Sequence, residues 1–333
     1  MFARHVLLPL LPLLAGVPSL LAEEAVFAKN SKWESVSDDH QFAEGMAFDK
    51  DGHFYFTDVP RGLLYHIDRN SGEKTILDEA TGKANGIAFG PDGRLYGCSS
   101  GDKKIYAWDP TTWEKSMVAT GTASNDLAIR DDRTVYYTDP KTNSVWRVAP
   151  DLSRKHAAAL TWRPNGITLS RDQKTLYVAE FASDTIHAFP VAQDGTLGES
   201  SAAFRMRVPE NGEGRLDGMM VHPDGRIISG TALGVQIVPP SSAAAGGPTP
   251  LLIPIPGERP RSNYVRISPD GKWLYVAFAK DKPSVALLGD TLWLVGTLVI
   301  FLPPLDALAP ATKLLVWCLA GSLAFLPLAW SHV

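Results

Sequence analysis

Six times along the chain, a residue with a side-chain oxygen opens a run in which apolar positions alternate with small or polar ones. The runs are Glu44-Gly-Met-Ala-Phe48, Asn85-Gly-Ile-Ala-Phe89, Asn125-Asp-Leu-Ala-Ile129, Asn165-Gly-Ile-Thr-Leu169, Asp217-Gly-Met-Met-Val221 and Asn263-Tyr-Val-Arg-Ile267. Each leads into a polar turn, such as Asp51-Gly52, Pro91-Asp92-Gly93 or Asp131-Asp132-Arg133, and then into a second apolar run such as Phe54-Tyr-Phe-Thr57 or Val135-Tyr-Tyr-Thr138. Alternation bounded by turn residues predicts antiparallel hairpins. The runs start at 44, 85, 125, 165, 217 and 263, a period near 40 residues whose fourth and fifth intervals are longer. A repeat of about 40 residues built on hairpins is the pattern of a β-propeller, one four-stranded sheet per blade. A β-sandwich has no reason to repeat at this length. The expected fold is therefore all-β, a six-bladed propeller from about Val26 to about Val285. The segment Ala25 to Val36 is expected to supply the outer strand of the last blade. The extra length falls in loops at 193–214 and 239–250.

The ends depart from this pattern. One basic residue, an apolar run from Val6 to Leu21 and the small Ala22 before Glu23-Glu24 read as a signal peptide at 1–22, so the chain is expected to be exported to the periplasm or secreted. The propeller is then expected at 23–284. Residues 285–333 hold two apolar runs separated by Pro303, Pro304 and Pro310. They fit a pair of short membrane segments, a last strand with an apolar tail, or an unnatural chain end.

Composition narrows the partners. With 32 basic and 36 acidic residues, the net charge is −4, without the basic excess that nucleic-acid binding requires. The 9 Trp, 9 Tyr and 13 Phe exclude a disordered chain. Two cysteines in unlike contexts do not form a disulfide framework. There is no Gly-rich phosphate loop, nucleophile elbow or zinc-ligand spacing.

The chemistry lies in the residues that open the repeats. Innermost strands line a propeller's channel, so Glu44, Asn85, Asn125, Asn165, Asp217 and Asn263 should converge on one axis. All carry oxygen, and two carry charge, which suits a hard divalent cation; calcium fits these ligand types best, with zinc and magnesium as alternatives. Asn before Gly also opens turns, and for Asn85 and Asn263 that reading stands equally. It fails for Glu44, a poor turn residue, and a buried Glu facing a buried Asp is costly without a cation. His40 just before Glu44, Asp58, Asp139 and Glu180 at the ends of second strands, and Cys98 are further candidates, with capping or core filling as the simpler role for each.

These residues resemble the gluconolactonase/regucalcin (senescence marker protein) family of six-bladed propellers. The resemblance rests on Ala43-Glu44-Gly45, Ser124-Asn125-Asp126-Leu127 followed by Tyr137-Thr138-Asp139-Pro140, Arg163-Pro164-Asn165-Gly166-Ile167 and Leu216-Asp217-Gly218-Met219, and covers residues 35–279. It implies a divalent metal on Glu44, Asn165 and Asp217, with Asn125 bound directly or through water or substrate. It also implies Asp217 as base or nucleophile in the hydrolysis of a sugar lactone or similar ester, with Asn125 in the catalytic set. Some members place an Arg two residues before the third-motif Asn, where this chain has Ala123. Basic residues stand at that offset in other blades, at Lys83, Arg163, Arg215 and Arg261. Asn85, Asn263, Arg163 and Arg215 are accordingly expected to meet a small polyhydroxylated or anionic substrate. The competing expectation is a propeller that binds a ligand or partner without chemistry, its cation purely structural.

Overall fold

Each repeat's turn brings its first strand antiparallel to its second in the same register. Phe48 lies opposite Phe54, Phe89 opposite Leu95, Ile129 opposite Val135, Leu169 opposite Leu176, Val221 opposite Ile227 and Ile267 opposite Leu274. The turns share a left-handed residue. It is glycine at Gly52, Gly93, Gly225 and Gly271, and Arg133 and Gln173 adopt the same conformation, with φ of 71° and 57°. Side-chain caps compensate: Asp132 Oδ1 accepts from Thr134 N, and Asp172 Oδ1 from Lys174 N.

The computed structural model describes residues 31–239, 249–255, 261–278 and 284–288. Its strands form six four-stranded sheets in a propeller arrangement, with no helix among the described residues. Five sheets use four consecutive strands each, and their innermost strands are Ala43–Phe48, Ala84–Phe89, Leu127–Ile129, Pro164–Leu169 and Met219–Val221. The sixth runs outward from Ser262–Ile267 through Leu274–Phe278 and Ser284–Leu288 to Trp33–Ser37, which comes from the other end of the chain. One sheet thus joins an early strand to three late ones, with Trp33–Ser37 as its outer edge. The sequence boundary at 284 needs correction, because Ser284–Leu288 pairs on both sides and residues 285–288 belong to the sheet. The expected leader at 1–22 and the rest of the tail lie outside the described residues.

The core is distributed around the ring. Six apolar clusters each join two neighbouring sheets: Tyr136, Val145 and Leu176 between the third and fourth, for example, and Met46, Phe56 and Tyr264 between the first and sixth. Every inner strand is therefore clamped from both sides, and its first residues are fixed in space.

Candidate functional site

The Asn-Gly pairs are not turns. At the start of the inner strands the register shifts by one extra residue, between Glu44 and Met46, Ala84 and Ile87, Pro164 and Ile167, and Ser262 and Tyr264. Such bulges re-aim a side chain at a sheet's end. The following glycine lets the next blade approach. Gly86 N donates to Asn125 O at 2.9 Å, and Gly218 N to Asn263 O at 2.8 Å. A Cβ on Gly166 would lie 2.1 Å from the Asp217 carbonyl oxygen. Thr57 and Thr138 hydroxyls donate to the carbonyls of Asn85 and Asn165. The turn reading of Asn85 is thereby replaced by blade-to-blade packing.

Glu44, Asp126 and Asp217 are buried, at 3%, 2% and 4% exposure. Burial pushes the Glu44 carboxyl well above its usual range, and the charges of Asp217 and Asp126 push it further. Burial likewise raises Asp217 to about 7, against the opposing pull of Arg261, whose guanidinium lies 3.4 Å away. Beside them, Asn165 Oδ1 and both amide atoms of Asn263 are buried without a hydrogen-bond partner. Orphaned buried oxygens among mutually repelling carboxylates are costly as they stand. That donor set, all hard oxygen with an excess of negative charge, fits a divalent cation.

Asp126 and Tyr264 form a buried pair that sequence reasoning did not single out. They occupy the position that holds glycine in the other four repeats, and their side chains meet across the channel. Tyr264 donates to Asp126 Oδ1 at 2.8 Å, and Arg266 donates to the Tyr264 hydroxyl at 2.9 Å. Leu127 N and Ile167 N also donate to the Asp126 carboxylate. Gly86 and Gly218 leave the room, since a Cβ on either would lie 2.1 Å from Asp126 Oδ1 or 2.2 Å from the Tyr264 ring. The signal available in the sequence was the break in the glycine pattern at these two repeats.

A cavity of about 450 Å³ opens beside Asn85 and Asn125, with Ser100, Ser124, Lys141 and Arg163 in its wall. Of the expected substrate contacts it takes in Asn85 and Arg163, the latter resting over the Phe181 ring at 4.4 Å. Asn263 is wholly buried outside its wall. Arg215 is exposed, 3.9 Å from Glu213, and does not line it.

The remaining candidates have structural partners. His40 is buried against Phe56 and Tyr65, with Ser37 Oγ at 2.8 Å and Asp58 at 3.7 Å. Asp58 accepts from Gln41 N and Phe42 N. Asp139 accepts from Thr122 Oγ1 and Ala123 N, and so holds the segment that leads to Asn125. Glu180 pairs with His187 at 2.9 Å. Burial drives the Cys98 thiol far up, which makes it core filling.

The family model described as SMP-30/Gluconolactonase/LRE-like region matches residues 42–239. Gluconolactonase of Zymomonas mobilis is 28% identical over 263 residues, which is 67% of this chain and 74% of that protein. Lactonase drp35 of Staphylococcus haemolyticus is 26% identical over 213 residues, 59% of this chain and 64% of its own length. Among solved structures, a gluconolactonase from Xanthomonas campestris superposes with TM-score 0.69 at 24% identity, covering 81% of this chain and 93% of that one. A calcium-binding regucalcin from Agrobacterium tumefaciens gives 0.65 at 17% identity, covering 78% and 94%. At these identities the structural matches establish the shared fold.

Proposed function

Because the chain belongs to the SMP-30/gluconolactonase/LRE-like family, we propose that it is a divalent-cation-dependent hydrolase that opens a sugar lactone or a similar ester. One observation carries the reading: buried Glu44 and Asp217, with the orphaned oxygen of Asn165, stand where the inner strands begin, at the end of the ring where Asn85 and Asn125 border the cavity. Relatives named gluconolactonase and lactonase support the reaction class. Within this reading the sixth sheet is the sixth blade, and the leader at 1–22 directs the chain to the periplasm or outside.

Glu44, Asn165 and Asp217 would hold the cation, calcium by ligand type with zinc or magnesium as alternatives, and Asn125 would reach it directly or through substrate. When bound, the cation supplies Lewis-acid polarisation of the lactone carbonyl. Asp217 serves as base or nucleophile. Burial raises its carboxyl to about 7 without the cation, and a bound cation would hold it ionised, the form that accepts a proton or attacks. Arg261 limits that rise and fixes the carboxylate through its contact with Oδ2. Asn85 and Asn125 offer amide donors and acceptors to ring hydroxyls in the cavity wall. Lys141 and Arg163 give the wall positive charge, which favours a polyhydroxylated or anionic substrate.

The test is lactone opening followed with a pH indicator, corrected for the spontaneous rate. EDTA abolishes the enzymatic rate and calcium or another divalent ion restores it. No rate above background on any lactone, with calcium still raising the melting temperature, would instead support a binding propeller with a structural cation.

A further inference from the structure

We propose that the first sheet carries a second metal-binding site, formed by His53, His66 and Asp68, for a divalent transition-metal ion of the zinc class. One nitrogen or oxygen from each side chain lies within 4.8 Å of the other two. His53 precedes the strand Phe54–Asp58, His66 lies in the strand Leu63–Ile67, and Asp68 follows it. Asp58 pairs with Ala43 beside Glu44, whereas Phe54 pairs with Ile67 at the hairpin's other end. The cluster thus sits at the opposite end of the blade from the channel carboxylates, about 15 Å away by strand rise.

One pair in the cluster is spaced to share an ion. His53 Nδ1 lies 3.2 Å from Asp68 Oδ2 and also accepts from Arg69 N at 3.2 Å. The single in-plane lone pair of Nδ1 is the one an ion would take, so binding exchanges the Arg69 N bond for a metal bridge between Nδ1 and Asp68 Oδ2. Zinc bonds of about 2.0–2.2 Å to both atoms span a gap of that size at an angle near 100°, close to tetrahedral.

The surrounding residues set the three ligands in place. Asp68 Oδ1 is taken up by Asn70 N, Ser71 N and Ser71 Oγ, which leaves Oδ2 for an ion. His66 packs on the Tyr55 ring at 5.0 Å, and Thr75 Oγ1 lies 3.3 Å from its Nδ1. The Arg69 guanidinium points away, to Asp270 at 3.5 Å. His53 and Asp68 side chains keep 23% and 31% exposure, so an ion can enter from solvent. Two imidazoles and a carboxylate select zinc, nickel or copper over calcium, unlike the all-oxygen set in the channel.

The experiment is Zn²⁺ titration of the full chain against a chromogenic chelator, in saturating calcium so that the channel is occupied. It is run on the wild type, Asp217→Asn, His53→Ala and His66→Ala. One zinc equivalent is expected in the wild type and in Asp217→Asn. Either histidine variant should weaken it at least about tenfold, as loss of a metal ligand or its support does. Visible absorption of Co²⁺ in tetrahedral coordination should disappear in the same two variants. Zinc affinity and cobalt spectrum unchanged in both, or no zinc bound by the wild type, would overturn the proposal. Because Asp217→Asn alters the channel site and the histidine variants leave it untouched, failure here is separate from failure of the lactonase reading.

Discussion

The Tyr264 hydroxyl donates a 2.8 Å hydrogen bond to Asp126, 138 positions earlier in the chain, and so ties the sixth inner strand to the third. Both residues are essentially excluded from solvent, at 1% and 2% exposure. Asp126 would otherwise carry much of its charge uncompensated, since burial already raises its pKa while this bond and Arg266 lower it.

Tyr264→Phe removes the donor to Asp126 and the acceptor for Arg266 without changing the ring. The expected cost is about 1–3 kcal/mol of stability, the penalty for leaving a buried polar group unsatisfied. Urea unfolding reads it as a lower midpoint at unchanged slope. An unaltered midpoint would show that the bond contributes nothing to the ring.

Gly218→Ala forces a Cβ to within 2.2 Å of the Tyr264 ring, at a place clamped by two blades. Overpacking of this kind costs about 1–3 kcal/mol or more and should also weaken calcium binding, because Asp217 is its neighbour. Gly198→Ala is the control: its Cβ would meet Pro190 only at ordinary contact distance, 3.4 Å, and stability should stay within about 0.5 kcal/mol of the wild type. Calorimetric melting of both variants checks the contrast.

That glycine shows how far the sequence could be read. The repeat and the hairpin register were both visible, because each blade must bury the same face and turn at the same place. Glu44, Asn165 and Asp217 stood out for the same reason. The reason for the glycine did not: Asn-Gly and Asp-Gly are ambiguous along a chain, and only the approach of the next blade shows that Gly86 and Gly218 make room for Asp126 and Tyr264. Arg215 and Arg261 share an offset from their repeats, yet Arg261 reaches Asp217 and Arg215 faces solvent beside Glu213. Side-chain direction at a loop exit is set by tertiary packing and has no periodic signature.

Removing the cation should make stability depend on pH in a definite direction. Glu44 is raised by burial and by its acidic neighbours, and Asp217 is raised to about 7. A carboxyl raised on folding holds its proton more tightly when folded, so its contribution is present below the unfolded value near 4 and lost as pH climbs through about 7. EDTA-treated protein should therefore melt lower at about pH 8 than at about pH 5 on account of these groups. Calcium should raise the melting temperature more at the higher pH, where no proton has to be displaced. A calcium effect independent of pH would contradict this electrostatic picture.

The central claim is that Asp217 does chemistry at a cation-dependent site. Asp217→Asn keeps the shape and one oxygen but removes the proton acceptor. The decisive measurement is kcat for lactone opening by the wild type and this variant, with calorimetry showing calcium bound to both. A fall of about 10²–10⁴ in kcat, with the cation still bound, is the predicted result. Undiminished turnover in the calcium-loaded variant would contradict it.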